Sequence, residues 1–290
     1  MKKIYIKARA KVNLNLEILG KRKDNYHNLE SVFQKVNLYD EIYIKKTEKN
    51  DFKLNINVKE LNTKENIIYK AYVKLKERYK VISGIEVTVN KKIPMQAGMA
   101  GGSTDCAAFI IAMNKLFDLK LSKEDMESLG KSLGADVVPC FYNKAVKAEG
   151  IGEIITNIDT HFKYYMVIIK PEIACNTKEM YQKIDAKKDL KQLHTTDNII
   201  KALENKDIYL LANSLYNVFE EAIQEKEIIE KVKKELIKNG ALQALMTGSG
   251  SCVYGIFEDQ QSAKNAYIAL KDRYQTYICT SYNVKKGEMF

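Results

Sequence analysis

The sequence predicts a mixed α+β fold built from two domains. Apolar and polar residues alternate from Lys3 to Arg9 and again from Val12 to Ile18, which is the pattern of half-buried strands. From Asn66 to Tyr79 the apolar residues follow helical spacing instead, and the second half of the chain alternates strands with helices. Because a chain of 290 residues is at the upper limit of a single hydrophobic core, we place a boundary near residue 158, with domains 1–158 and 159–290.

The other elements follow from the same two periodicities. The composition of Gly20 to Asn28 predicts a loop, and Ser122 to Asp125 has the form of a capping box that opens a helix. Helices are predicted from Asp207 to Ala222 and from Lys226 to Lys238, with a polar loop from Lys187 to Thr196. Further strands are predicted at 29–36, 41–45, 54–58, 85–89, 145–148, 153–155, 164–170 and 276–284, and further helices at 106–117, 177–184 and 262–273.

Composition excludes several functional classes. Five scattered cysteines without a Cys-x-x-Cys pair argue against a disulfide framework and against a structural zinc site. The N-terminus lacks the apolar region of a signal peptide, and no uninterrupted apolar run reaches about 18 residues. We therefore expect a cytoplasmic protein with no membrane segment.

The formal net charge of +10 suits anionic partners, but lysines interleaved with acids favour a solvated surface. A nucleic-acid-binding module stays open as the alternative from another class.

The stretch from Pro94 to Asp105 is the strongest candidate for a ligand site. Three glycines within five positions, Gly98, Gly101 and Gly102, allow the backbone to approach a ligand closely, and an apolar helix follows. A helix N-terminus offers unpaired N–H groups that suit phosphate oxygens, so this stretch predicts a phosphate-binding loop. It is neither a Walker A sequence nor a dinucleotide fingerprint. The alternative is a turn whose polar residues only cap the helix.

Lys11 and Asp136 are the candidate charged groups. Lys11 lies with Asn13 on the polar face of the second predicted strand, although an ordinary solvent-exposed strand face gives the same pattern. Asp136 is the only acid between Lys131 and Tyr142, so it is either a cap on a short helical turn or a site residue.

Three segments together resemble the GHMP kinases, the family of galactokinase, homoserine kinase, mevalonate kinase and phosphomevalonate kinase. Pro94 to Asp105 resembles the phosphate loop of that family, Gly134 to Val137 resembles the segment that bears its catalytic aspartate, and Met246 to Ser251 resembles its C-terminal glycine motif. Three motifs in the right order are improbable by chance. The resemblance spans nearly the whole chain and implies a two-domain α+β fold with the active site in the cleft between the domains.

The resemblance also implies the reaction and its residues. Asp136 would be the general base and Lys11 its electrostatic partner, both serving phosphoryl transfer from ATP. Magnesium would accompany ATP, with Ser103 as the candidate ligand. The implied ATP-binding residues are Pro94, Met95, Gln96, Ala97, Gly98, Met99, Ala100, Gly101, Gly102, Ser103 and Thr104.

Two further segments indicate the substrate. Ala8 to Leu14 and Asp24 to Leu29 are similar to the branch of the family that acts on a cytidine diphosphate-linked methylerythritol in the non-mevalonate isoprenoid pathway. The resemblance implies transfer of the γ-phosphoryl group of ATP to the 2-hydroxyl of that small molecule. Asn13 would orient it, and Tyr26 and His27 would bind its cytidine. Another GHMP kinase, acting on homoserine or a mevalonate derivative, is the alternative.

The sequence departs from the family pattern at four positions where glycine is usual. Asn25 replaces glycine in the loop that carries Tyr26, and asparagine is the residue that best tolerates a left-handed backbone in its place. The other departures fall in the phosphate loop, at Gln96, Ala97 and Ala100.

Overall fold

The structure is a computed structural model that describes residues 2–80, 83–187, 190 and 192–284. The strands are β1 (Lys3–Lys21), β2 (His27–Lys46), β3 (Phe52–Ile56), β4 (Ile85–Asn90), β5 (Val146–Gly150), β6 (Ile154–Asn157), β7 (Tyr165–Lys170), β8 (Tyr216–Asn217), β9 (Gln243–Met246), β10 (Val253–Phe257) and β11 (Gln275–Thr280). The helices are α1 (Ile67–Arg78), α2 (Gly101–Phe117), α3 (Lys123–Lys131), α4 (Val137–Cys140), α5 (Thr177–Asp185), α6 (Thr196–Asn205), α7 (Ile208–Asn213), α8 (Lys226–Lys238) and α9 (Gln260–Leu270), with short 3₁₀ helices at Lys59–Leu61 and Val218–Glu221.

The strands form two sheets, which confirms the predicted α+β class. The first sheet has the order β3-β4-β2-β1-β8, and β5 and β6 extend it from β2. The second sheet has the order β11-β7-β10-β9. The chain moves from the first sheet to the second between Asn157 and Tyr165, next to the predicted boundary. It also returns, because β8 pairs with β1 and Ser281 forms a bridge with Val36.

The long β1–β2 hairpin is the frame of the first sheet. β1 pairs with β2 in antiparallel fashion along nearly its whole length, with register shifts after Arg9, Asn13 and Ile18. The prediction of separate strands was wrong here, because Ala8 and Ala10 are small and weaken the apolar signal although the strand continues. The predicted loop from Gly20 to Asn28 was also too long, since both strands extend into it.

The polar face of β1 is buried rather than solvent-exposed. The second half of the chain covers this face and supplies hydrogen-bond partners. The backbone N–H groups of His194 and Thr195, for example, donate to the carboxylate of Glu17 at 3.0 and 2.9 Å. A buried polar group needs such partners to avoid a desolvation penalty. Four side chains form this face, each at most 7% exposed: Lys11, Asn13, Asn15 and Glu17.

The central helix α2 positions the predicted phosphate-binding loop. Its side chains are buried on most sides, and Phe109 and Ile110 are fully enclosed. The helix begins at Gly101, five residues before the predicted start at Cys106, directly after Ala100 in the left-handed conformation (φ 57°, ψ 34°). Because α2 is buried on most sides, it holds the loop at its N-terminus in one place.

The helix predictions were confirmed in some places and wrong in others. α8 has the predicted bounds, and the capping box at Ser122 is present with Asp125 as its reciprocal partner. The helix expected from Asp207 to Ala222 is instead broken into α7, β8 and a 3₁₀ turn. The break occurs because the Asn217 side chain accepts the N–H of Phe219 and donates to two carbonyl groups in the 246–248 segment.

The backbone at Ala100 makes a testable prediction about stability. A side chain with a Cβ pays about 1–2 kcal/mol in the left-handed region, and glycine pays no such cost. We expect Ala100→Gly to raise the midpoint of thermal unfolding, measured by circular dichroism, by about 1–3 °C after the greater unfolded-state entropy of glycine is subtracted. The matched control is Ala97→Gly, because Ala97 does not have a positive φ and glycine there should lower the midpoint. A lower midpoint for Ala100→Gly would contradict the left-handed conformation assigned to Ala100.

Candidate active site

Most of the predicted site residues line a cavity of about 520 Å³. Its wall includes the phosphate-binding loop from Pro94 to Ser103, the end of the α3–α4 connection at Asp136, and the turn from Gly248 to Gly250. Lys11 and Asn13 of β1 complete the wall on the side of the first sheet. A cavity of this volume is within the range of small-molecule sites, roughly 300–1,000 Å³.

The two glycine-rich segments touch through their backbones. Gly98 has φ +69°, and a Cβ placed there would lie 1.9 Å from the carbonyl oxygen of Thr247. Gly248 has φ +55°, and a Cβ there would lie 2.8 Å from the carbonyl oxygen of Gly98. The N–H of Cys252 also donates to the carbonyl of Ala97 at 3.3 Å. Only glycine allows this approach at the two facing positions.

Lys11 is held beside this contact by three hydrogen bonds, two from its side chain and one from its backbone. Its Nζ donates to Oδ1 of Asn13 at 2.6 Å and to the carbonyl oxygen of Gly98 at 3.0 Å, and its backbone N–H donates to the carbonyl of Met99 at 3.3 Å. Burial lowers the pKa of Lys11, and the charge of nearby Asp136 opposes this shift. The ammonium group is therefore fixed at the cavity wall at the point where the loop passes β1.

Asp136 lies on the cavity wall and does not act as a helix cap. It occupies the N-cap position of α4, yet its side chain makes no capping hydrogen bond. The residue is exposed, and it lines the same cavity as Lys11. The absence of a capping bond argues against the cap interpretation, and the role of Asp136 in the site stays a prediction.

A buried ion cluster closes the base of the phosphate-binding loop. Lys91, before the loop, pairs with Asp105, in the first turns of α2, at 2.6 Å, and it also pairs with Asp40 of β2. Asp40 in turn accepts the backbone N–H of Ile93 at 2.8 Å. Burial and the charge of Asp40 raise the pKa of Asp105 to about 8, against the opposing effect of Lys91. The cluster fixes both ends of the loop to the first sheet.

Two predicted residues have polar contacts that their proposed roles did not include. The side chain of Asn13 donates to Oγ of Ser31 at 2.9 Å while its Oδ1 accepts from Lys11, so it positions the lysine. Thr104 does not line the cavity. Its hydroxyl donates to the carbonyl of Arg9 at 2.6 Å and accepts from Nζ of Lys35 at 3.2 Å.

Tyr26 and His27 lie outside the cavity wall, but His27 is connected to it. Tyr26 is 57% exposed, whereas His27 is 7% exposed and its Nε2 lies 2.6 Å from Oδ1 of Asp185. The imidazole stacks on the ring of Tyr181, with centroids 4.9 Å apart and an interplanar angle of 18°. Tyr181 lines the cavity and meets Phe219 edge to face. The contacting rings of His27, Tyr181 and Phe219 therefore connect His27 to the cavity wall.

The sequence analysis did not identify several of these residues. Tyr181 and Phe219 are single aromatic residues in a helix and a 3₁₀ turn, and their sequence surroundings are those of ordinary core residues. Asp105 carried a usable signal, because it is a carboxylate in the first turns of an otherwise apolar helix.

Comparison with known proteins agrees with this geometry. A family model described as the GHMP kinases N terminal domain matches residues 66–144, and the GHMP kinases C terminal model matches residues 199–276. A protein of Lachnospira eligens named 4-diphosphocytidyl-2-C-methyl-D-erythritol kinase is 40% identical over 264 residues, which cover 90% of this chain and 91% of that protein. The chain belongs to the GHMP kinase family. It is accordingly an ATP-dependent small-molecule kinase.

Other members of the GHMP kinase family are similar over the full length. A protein of Alkaliphilus metalliredigens with the same name as the Lachnospira protein is 37% identical over 99% of this chain and 100% of its own length. Among solved structures, a 4-(cytidine 5'-diphospho)-2C-methyl-D-erythritol kinase has a TM-score of 0.82 at 24% identity, covering 97% of this chain and 100% of that one. Homoserine kinase from Cytophaga hutchinsonii has a TM-score of 0.78 at 21% identity, covering 99% and 97%. At these identities, the structural likeness shows the GHMP kinase fold.

Within residues 2–80, 83–187, 190 and 192–284, no helix is long and apolar enough to cross a membrane.

The contact between the two glycine turns predicts a large and selective effect. Gly98→Ala places a methyl group against the Thr247 carbonyl and strains a positive φ, so we expect a loss of on the order of 3 kcal/mol in the free energy of unfolding. Gly102→Ala is the matched control, because nothing lies within 4 Å of its Cβ position and alanine favours a helix. Urea unfolding of both variants measures the difference. Equal stability of the two variants would contradict the backbone contact.

Proposed function

We propose that this kinase transfers the γ-phosphoryl group of ATP to the 2-hydroxyl of 4-diphosphocytidyl-2-C-methyl-D-erythritol, a step of non-mevalonate isoprenoid synthesis. The observation that carries the proposal is that a lysine and an aspartate, Lys11 and Asp136, share one cavity with the glycine-rich loop from Pro94 to Ser103. The proteins of Lachnospira eligens and Alkaliphilus metalliredigens, which are similar over 90% and 99% of this chain, bear the name of this activity. We assign the reaction to the cleft between the proposed domains 1–158 and 159–290.

The loop from Pro94 to Ser103 binds the phosphates of ATP in this proposal. The backbone N–H groups at the N-terminus of α2 are not all used within the helix, and the helix dipole adds partial positive charge there. The Lys91 cluster keeps the loop in position without a substrate. Such preorganisation lowers the cost of binding an anion, because the groups do not rearrange when it arrives.

Asp136 acts as the general base and Lys11 as the electrostatic partner. The carboxylate accepts the proton of the substrate hydroxyl as that oxygen attacks the γ-phosphorus, and the bond from the γ-phosphorus to the bridging oxygen of ATP breaks. The ammonium group of Lys11 stabilises the negative charge that develops on the transferring group. Asn13 and the carbonyl of Gly98 hold the ammonium group at its place on the cavity wall.

The residues at the start of α2 fit a magnesium ion. Ser103 and Asp105 both line the cavity, and Oδ1 of Asp105 is buried with no hydrogen-bond partner among the described residues. A hydroxyl and a carboxylate oxygen are suitable Mg²⁺ ligands, and this ion usually takes only one or two protein carboxylates beside phosphates and water. Within the described part of the chain, no group of three or more His, Cys, Asp or Glu could hold a metal ion. When bound, Mg²⁺ supplies positive charge to the phosphate oxygens.

The group of His27, Tyr181 and Asp185 supports recognition of the cytidine. The contact between Nε2 of His27 and the Asp185 carboxylate orients the imidazole and leaves Nδ1 for the edge of a base. Tyr181 presents an aromatic surface at the cavity wall. Tyr26, on the exposed turn beside them, would cover the bound base from the solvent side.

Two variants test the proposed catalytic pair. Asp136→Asn removes the base and should lower kcat by about 10²- to 10⁴-fold, and Lys11→Met should lower kcat to a similar extent because the transition state loses its cation. The matched controls are Asp118→Asn and Lys201→Met, which make the same changes at exposed positions outside the cavity. Coupled measurement of ADP release gives the rates. Retention of near-normal kcat by either site variant would refute its assigned role.

A further inference from the structure

A second cavity of about 440 Å³ lies across α2 from the proposed active site. The helix contributes Gly101, Ser103 and Asp105 to the first cavity and contributes Thr104 and Ala108 to the second. The second cavity takes no part in the mechanism described above. Its volume is within the range of small-molecule sites.

One part of the wall of this second cavity is apolar. It is formed where the outer edge of β1 faces α2, and this edge lacks a neighbouring strand because β8 reaches β1 only at Asn15 and Leu16. The apolar side chains come from both elements: Ile4, Ile6, Ala8, Ala108, Ile111 and Ala112. A wall of this kind favours a hydrocarbon chain, at roughly 25 cal/mol for each Å² removed from water.

Another part of the wall is cationic. Lys7, Arg9 and Lys115 all line the cavity, and none of the described lining residues is acidic. Within the described part of the chain, none of these three side chains forms an ion pair. Three uncompensated cations around one concave surface raise the local concentration of anions.

Arg9 is arranged as an anion-binding group. Its guanidinium lies 3.8 Å from the ring centroid of Tyr282 and 5.5 Å from that of Tyr39, and its buried Nε has no hydrogen-bond partner among the described residues. Stacking on aromatic rings fixes the direction of the guanidinium plane without neutralising its charge. A planar guanidinium held in this way is well suited to a carboxylate or phosphate group.

We propose that the second cavity binds a small molecule with an anionic head group and an apolar chain. The head group contacts Lys7, Arg9 and Lys115, and the chain lies between the edge of β1 and α2. Because α2 separates the two cavities, this molecule and ATP bind at the same time. The inference does not depend on the identity of the phosphoryl acceptor.

Isothermal titration calorimetry with octyl phosphate tests the proposal on the full chain saturated with MgATP. Saturation keeps the probe out of the phosphate-binding loop. We expect one molecule of octyl phosphate to bind per chain, at least tenfold more tightly than inorganic phosphate, which lacks the chain, or octanol, which lacks the charge. Binding of octyl phosphate only when MgATP is left out, or equal affinity for all three probes, would overturn the proposal.

A charge-reversal pair identifies the binding surface. Lys7→Glu combined with Lys115→Glu changes two exposed residues and should weaken octyl phosphate binding at least tenfold. Lys74→Glu combined with Lys201→Glu makes the same change in net charge at exposed positions elsewhere and should leave the affinity within twofold. Ala112→Phe, which fills the cavity, should also abolish binding. If the first pair binds the probe as the control pair does, the lysines only protect the strand edge from pairing with other chains.

Discussion

The approach of Gly98 to Thr247 and Gly248 is the contact on which the site depends. It joins the phosphate-binding loop of the first half of the chain to the glycine turn of the second half, with no space for a side chain between them. The carbonyl of Gly98 also accepts the ammonium group of Lys11. The position of the proposed catalytic cation is therefore set by a contact between the two halves. The site is therefore complete only when the two halves of the chain are packed against each other.

The burial of polar groups along β1 also depends on contacts between the two halves of the chain. A buried lysine or carboxylate is costly unless partners surround it. Here, the partners of Glu17 are two backbone N–H groups near residue 194, and the backbone N–H of Asn13 donates to the hydroxyl of Thr247 at 3.0 Å. The second half of the chain thus satisfies the polar face of the first sheet. At the base of the phosphate-binding loop, the buried charges of Lys91, Asp40 and Asp105 likewise partner one another.

The sequence was sufficient for the features that local rules control. The glycine-rich loop before α2, α8 and the capping box at Ser122 follow from spacing and composition within a dozen residues, and the family follows from three such motifs. The burial of the polar face of β1 and the stacking of Tyr181 on His27 depend on segments that are distant in the chain. A local sequence pattern therefore cannot predict them. The break in the helix predicted from Asp207 to Ala222 has the same cause, because Asn217 bonds to the distant glycine turn.

The substrate is the central claim, since the fold is shared with homoserine and mevalonate kinases. The most direct test compares kcat/KM for 4-diphosphocytidyl-2-C-methyl-D-erythritol, homoserine and mevalonate, using wild type and His27→Ala. We expect a preference of on the order of 10³ or more for the cytidine substrate, and a raised KM for that substrate alone in the variant. Comparable turnover of homoserine or mevalonate, or an unchanged KM in His27→Ala, would contradict it.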